Sequence, residues 1–320
     1  MAKRTTDGHD DGSARSAKAS LTVAAVQATP AYLNRAGTLD IVVDEIAKAA
    51  AGGADLVVFP ESFVPGYPDW VWRRPPMSDG DWYARFSAQA VDIDGSDLDP
   101  VKEAARDARV WVALGVTERL LSGTLNNTVV YVDPAGTIAG RHRKLIPTGA
   151  ERLIWGQGQG DVLTTIDIGG MRVGSLICWE NYMPLARAAM YEKGIDVLLA
   201  PTWDNSDEWI PTLRHIAKEG QIFVVGVTAC LRGSDVPRDL SDAADLYGGD
   251  DDWMSRGNTT IVAPGGEIIA GPLVGEVGVV SATLDPDRIV SGRRMFDPVG
   301  HYARPDVLTL TIRTADSHPV

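Results

Sequence analysis

The chain has 320 residues, 23% of them charged and 44% hydrophobic, a balance that fits a folded globular protein and excludes a disordered or membrane-embedded one. Lysine and arginine total 30 against 43 acidic residues, and the net charge of -13 argues against nucleic acid or an anionic membrane as a partner. Two cysteines, Cys178 and Cys230, cannot build a disulfide framework, so a reducing cytoplasm is the expected compartment.

In chain order, "MAKRTTDGHDDGSARSAKAS" mixes both charge signs with small polar residues and has no apolar core, so residues 1–19 read as a disordered tail. "LTVAAVQA" reads as a strand and "GTLDIVVDEIAKAAAGG" as an amphipathic helix stopped by paired glycines. "ADLVVFPE" is short and almost wholly apolar, as a strand covered on both faces would be. Helical stretches follow at Trp82 to Ala90 and Pro100 to Ala108, then the strand "VWVALGVTE". "NNTVVYVDPAGTIAGRHRKL" is two β runs joined at Asp-Pro-Ala-Gly, and "VLTTIDIGGMRVGSLIC" repeats that pattern around Gly169-Gly170. A helix starting near Met183, "GIDVLLAPTW", a helix from about Ile210, "FVVGVTAC", "NTTIVAPGGEIIA" and "GVVSATLD" complete the series. The alternation, without a linker or a fixed-period repeat, describes one domain over residues 20–310 and a C-terminal tail over 311–320. Arg232 to Gly257, with "DLSDAADLYGGDDDW", reads as a solvated acidic surface loop.

Three apolar strands end abruptly in reactive or polar residues: Glu61 after "LVVFP", Cys178 after "VGSLI", and Thr202 with Trp203 after "VLLAP". Ligands collect at the carboxyl ends of parallel strands, so these termini are expected to face one crevice. A lone buried cysteine is ordinarily an inert small hydrophobe. Around Cys178, however, polar residues interrupt the apolar run, and a helix beginning near Met183 is expected to present its positive end to a thiolate. A thiol nucleophile also needs a base for its proton and a donor where negative charge develops, and Glu61 and Lys144 are candidates.

"FPESFVPGYP", "RHRKLIPTGAERLIWGQGQG" and "CWENYMPLAR" resemble, in order, three signature blocks of the nitrilase branch of the carbon–nitrogen hydrolase superfamily, and "GHYARPDVL" is similar to the C-terminal part of that branch. The resemblance spans about Leu21 to Leu310. It implies a four-layer αββα sandwich of the α/β class, with Glu61 as general base, Lys144 as cation, Cys178 as nucleophile and Glu151 as supporting carboxylate. It further implies a nitrile as small-molecule substrate, a thioimidate and then a thioester on the sulfur, no cofactor and no metal, and homodimers or larger spiral homo-oligomers built across the helices beside the nucleophile. No HExxH or paired Cys-x-x-Cys spacing offers a transition-metal site.

Tyr67, Trp155, Trp179 and Trp203 lie close in sequence to the four catalytic candidates; ordinary packing accounts for part of this set, while Tyr67, Trp179 and Trp203 are candidates for the substrate pocket. Glu180 reads as an ion-pair or hydrogen-bonding partner rather than an acid or base. The competing activities are an aliphatic amidase, a carbamoylase or a cyanide-degrading enzyme on the same residues. A Ser/His/Asp hydrolase using His215 or His301 lacks a G-x-S-x-G elbow, and a non-catalytic binding module has no need of the whole reactive set.

Overall fold

In the computed structural model, residues 19–159, 163–248 and 252–313 are described. The expected N-terminal tail up to residue 18 and the end of the expected C-terminal tail from residue 314 lie outside them. Ala19 is already pinned, its N–H donating to the Gly169 carbonyl at 3.0 Å.

Two six-stranded sheets carry the molecule. The first is built from β1 (Leu21–Gln27), β2 (Leu56–Val58), β3 (Trp111–Arg119), β4 (Leu125–Val132), β5 (Ile138–Arg143) and β14 (Gly278–Leu284), in the order β14-β1-β2-β3-β4-β5. The second contains β6 (Thr165–Ile168), β7 (Met171–Ser175), β8 (Val197–Thr202), β9 (Phe223–Thr228), β12 (Thr259–Val262) and β13 (Ile268–Leu273), in the order β13-β12-β9-β8-β7-β6. In each, a central trio is parallel, β1-β2-β3 and β7-β8-β9, and antiparallel strands extend it on either side. Parallel centres need cover on both faces, which is why these strands are apolar nearly throughout.

The period-two alternation of strands sorts the side chains into layers. Val23, Ala25, Leu56 and Val58 of one sheet meet Val173, Val197, Leu199 and Val225 of the other in a central core. Their neighbours Ala24, Val26, Val57 and Val112 face outward onto α1 (Arg35–Ala51) and α3 (Asp99–Ala108) through Leu39, Val42, Ile46, Val101 and Ala105. On the second sheet Leu198, Ala200 and Val224 face α4 (Pro184–Glu192) and α5 (Trp209–Gly220) through Ala189, Met190, Leu213 and Ile216. Leu310 and Ile312 rest on that outer cluster too, so the chain is still packed beyond residue 310. The order helix, sheet, sheet, helix is the expected αββα sandwich. Among the described residues no helix is long and apolar enough to cross a membrane.

One local expectation is corrected. Arg232 to Gly257 is not simply a solvated loop. It contains β11 (Trp253–Arg256), which pairs with β10 (Cys230–Arg232) just before it, and the short α6 (Ala243–Leu246). With Leu231 of β10 it buries Val236, Leu240, Ala243 and Tyr247 against Trp70, Trp82 and Phe86, the last two on α2 (Gly80–Gln89). Its acidic side chains face outward, as Asp239, Asp242 and Asp245 show, and their number in the sequence masks the apolar residues between them. The helix expected from near Met183 is α4, which starts at Pro184, and a tight 3-10 turn over Cys178–Tyr182 lies between Cys178 and that helix.

Candidate active site

Each expected reactive residue follows the carboxyl end of a strand. After β2 the chain bends through Phe59 and Pro60, and β3 approaches so closely that a Cβ on Gly115 would lie 1.9 Å from the Pro60 carbonyl oxygen. Only glycine leaves room for that bend, which turns Glu61 into the interior. Lys144 follows β5, its N–H donating to the Asn127 carbonyl on β4 at 2.8 Å. Glu151 sits in the 3-10 turn Gly149–Leu153, where its carboxylate accepts from the Thr148 N–H at 2.7 Å. Cys178 follows β7 by three residues and holds φ at +52°, a left-handed conformation that costs a non-glycine residue of order 1–3 kcal/mol and recurs at functional sites.

Lys144 joins the two acids. Its Nζ donates to Glu61 Oε1 at 2.8 Å and to Glu151 Oε2 at 2.7 Å, with all three side chains no more than 1% exposed. Asn127 Nδ2 donates to the same Glu61 oxygen at 2.7 Å, and the Trp203 N–H donates to the other at 2.7 Å. Tyr67 donates its hydroxyl hydrogen to Glu151 Oε1 at 2.7 Å and accepts one from Trp72 Nε1 at 3.0 Å. This chain of bonds fixes the positions of both carboxylates around one ammonium.

Protonation follows from burial and neighbours. Burial pushes the Glu61 carboxyl above its usual range, the Lys144 ammonium pulls it back, and the Glu151 charge raises it again. Burial works against charge on Lys144, but Glu61, Cys178 and Glu151 together outweigh it, so the ammonium holds its proton more tightly than a free lysine. The Cys178 thiol is raised by burial first and by Glu61 second, with Lys144 opposing. A raised thiol fits the expected need for a base to take its proton. At the start of the 3-10 turn, Glu180 Oε2 accepts the Ile177 N–H at 2.5 Å.

Cys178 and Glu151 open onto a cavity of about 670 Å³. Tyr67, Trp179 and Trp203 all line it, as expected of the pocket candidates, with Tyr67 and Trp203 stacked at 4.7 Å and 8°. Trp155 does not; it packs edge-on behind Tyr67 at 5.7 Å and donates to Thr117 Oγ1 at 3.2 Å. Trp179 is half exposed at the rim and donates to Asp204 Oδ2 at 2.9 Å. No histidine lines the cavity among the described residues; His215 is bonded to Glu219 at 3.1 Å on α5, and His301 is exposed. Among the described residues no group of three or more potential ligands could hold a metal ion.

Sequence reasoning missed Asn127, Thr148 and Trp72, which orient the reactive set, and Asp69 and Arg256, which line the cavity. A buried asparagine inside the apolar run "NNTVVYV" was the available signal for Asn127, since a polar group there needs a specific partner. Arg256 carried no comparable signal, because its place at the rim is set by pairing of β11 with β10, where it lies opposite Cys230.

The carbon–nitrogen hydrolase family model matches residues 22–294. An aliphatic nitrilase of Sinorhizobium fredii (strain HH103) is 41% identical over 295 residues, covering 90% of this chain and 94% of that protein. An arylacetonitrilase of Trametes versicolor is 36% identical over 307 residues, covering 90% and 95%. Among solved structures, the Caenorhabditis elegans NitFhit protein superposes with a TM-score of 0.74 at 20% identity, covering 93% of this chain and 68% of that one. Saccharomyces cerevisiae Nit3, a member of branch 10 of the nitrilase superfamily, gives 0.70 at 19%, covering 89% and 97%; at such identities these two likenesses speak to the fold. Sequence match, sheet order and the arrangement around Cys178 agree: the chain belongs to the carbon–nitrogen hydrolase family.

Proposed function

We propose that the protein is a nitrilase that hydrolyses an organic nitrile to the carboxylic acid and ammonia through Cys178. The observation that carries the reading is the buried Glu61–Lys144–Glu151 bridge beside a cysteine that opens onto an aromatic-lined cavity. Support for a nitrile rather than another carbon–nitrogen substrate comes from the relatives, which are named as nitrilases across most of their length.

Glu61 takes the thiol proton as the sulfur forms its bond to the nitrile carbon, and that proton passes to the nitrile nitrogen to give a thioimidate. A raised carboxyl pKa suits this role, because a base closer in strength to its target transfers the proton back and forth readily. Water adds to the carbon, the nitrogen leaves as ammonia, and a thioester remains. A second water releases the acid and returns the proton to sulfur. Lysine has three N–H donors; Lys144 gives two to the carboxylates, and we assign the third, with the backbone N–H of Trp179, to the charge developing on substrate nitrogen or oxygen. Glu151 holds the ammonium in place and keeps its charge balanced. These steps need no cofactor, so chelators leave the rate unchanged.

The protein acts as a homodimer or larger homo-oligomer in this reading, supported by Tyr182 and Leu185, which stand exposed on the turn and helix after the nucleophile. A reducing cytoplasm suits a catalytic thiol.

The test is release of ammonia and acid over aliphatic, aryl and arylacetonitrile panels, with the matching amides alongside. Wild-type turnover of nitriles and none by Cys178→Ala is the expected result. Amides consumed with nitriles untouched would instead identify an amidase, and full turnover by Cys178→Ala would remove the nucleophile from the scheme.

A further inference from the structure

Glu180 and His142 are buried completely and stand outside the set assigned to the reaction. Glu180 is two residues beyond Cys178, and His142 two residues before Lys144. Their side chains meet at 2.8 Å, His142 Nε2 donating to Glu180 Oε2. The same carboxylate oxygen accepts the Ile177 N–H, next to the nucleophile, at 2.5 Å. The other oxygen accepts the Leu145 N–H, next to the lysine, at 2.7 Å. Asn181 completes the turn, donating through Nδ2 to the carbonyls of Leu176 at 2.8 Å and Cys178 at 2.9 Å.

Lys144 and Cys178 belong to different sheets: one follows β5 of the first, the other β7 of the second. Packing between two sheets sets their separation only loosely, since an apolar interface has no directional preference. A carboxylate held by backbone N–H groups from both sides does have one, because each bond fixes a distance and an angle. We propose that Glu180, held in turn by His142, is a positioning residue that clamps the Cys178 turn to the Lys144 strand and sets the distance between thiol and ammonium. This rests on the reading of Cys178 as the nucleophile.

Glu180→Gln tests the clamp. Glutamine has one acceptor oxygen and an NH₂ donor, so it cannot accept from both backbone N–H groups; one of the two faces a donor. Two quantities are measured on folded protein: kcat and KM for a nitrile, and the rate at which iodoacetamide alkylates Cys178, read by peptide mapping to separate it from Cys230. Small misplacements of reacting groups cost up to about 100-fold in rate, so kcat falls by about 10- to 100-fold. KM changes little, because the interaction lost is one made in the transition state. The alkylation rate falls with kcat. His142→Leu removes the ring donor and leaves both backbone bonds in place, and lowers the same two rates by a smaller factor; if Glu180→Gln does not fold, this variant decides. Wild-type kcat and alkylation rate in the folded variants, or a raised KM at unchanged kcat, would overturn the clamp. Alkylation does not depend on the substrate, so a wild-type protein that turned over no nitrile would count against the nitrilase reading while the alkylation rates still judged the clamp.

Discussion

At Cys178 two opposing demands meet: the sulfur must be buried to exclude water, and burial raises its pKa and takes away the thiolate. The site resolves this by placing a carboxylate whose own pKa is raised, Glu61, on the same lysine. With Glu61 as the proposed base, activity requires that carboxylate to be ionised, so a raised pKa moves the acid limb upward: rate is lost as pH falls, and at a higher pH than for an ordinary glutamate. The expected acid limb of kcat/KM, which reports groups of the free enzyme, therefore lies above the usual value of 4.5. A pH profile flat down to that value would remove Glu61 as the base. Tyr67 gives a second residue-scale prediction. Its hydroxyl is bonded to both Glu151 and Trp72, and hydrogen bonds to charged groups contribute about 1.5–3 kcal/mol, so Tyr67→Phe should lower unfolding free energy by about that amount in a urea titration. An unchanged midpoint would show that Glu151 is held without it.

At the scale of elements, the strand that carries Lys144 is itself tied at the edge of its sheet. Glu118 on β3 is almost fully buried and accepts from Arg143 on β5 at 2.7 Å through both Nε and Nη2, from Arg141 at 3.1 Å and from Thr128 on β4 at 2.9 Å. Burial pushes its carboxyl up, but Arg143, Thr128 and Arg141 more than reverse that, and the net pKa is below the ordinary one. A carboxyl with a depressed folded pKa contributes stability that is present above the unfolded value and lost as pH falls through the folded one. Glu118→Gln should therefore cost stability at neutral pH and flatten the decline of Tm on acidification below 4.5, measured by thermal scans across pH. Parallel curves for variant and wild type would show that the Arg143 pairing adds nothing. Strands and helices of this kind were legible in the sequence, because buried parallel strands write continuous apolar runs and α1 and α3 write a 3.6-residue period. The start of the helix after Cys178 was legible to within a residue, since Pro184 marks its first turn; the 3-10 turn before it was not, since "CWENY" carries no sign that distinguishes such a turn from a helix. Thr148 was silent, and Asn127 showed only that it needed a partner, because the importance of both lies in what faces them across strand and turn.

Across the whole molecule, the two sheets each supply half of the site: Glu61, Lys144 and Glu151 follow β2 and β5, while Cys178 and Trp203 follow β7 and β8. Arg256 reaches the rim of the cavity, and residues 239–241 are tied to α2. Trp82 Nε1 donates to the Ser241 carbonyl at 3.0 Å, the Ser241 N–H donates to Asp81 Oδ2 at 2.8 Å, and Arg85 pairs with Asp239 at 2.5 Å. A second stitch joins the two sheets, where buried Gln27 of β1 donates to the carbonyls of Leu273 at 3.1 Å and Glu276 at 2.8 Å and accepts the Thr259 N–H at 3.0 Å. The three reactive blocks and their order were legible because each names its own chemistry. Their convergence was expected from the carboxyl ends of parallel strands, while the division of the strands between two sheets rests on strand order, which no local pattern encodes. The central claim is that the sulfur of Cys178 becomes covalently bound to substrate carbon during turnover, and mass spectrometry of acid-quenched enzyme with a nitrile substrate tests it most directly. The account predicts a thioimidate or thioester adduct on the Cys178 peptide, absent from Cys178→Ala; an enzyme that turns over nitrile at full rate after that substitution, or carries its adduct on another residue, would contradict it.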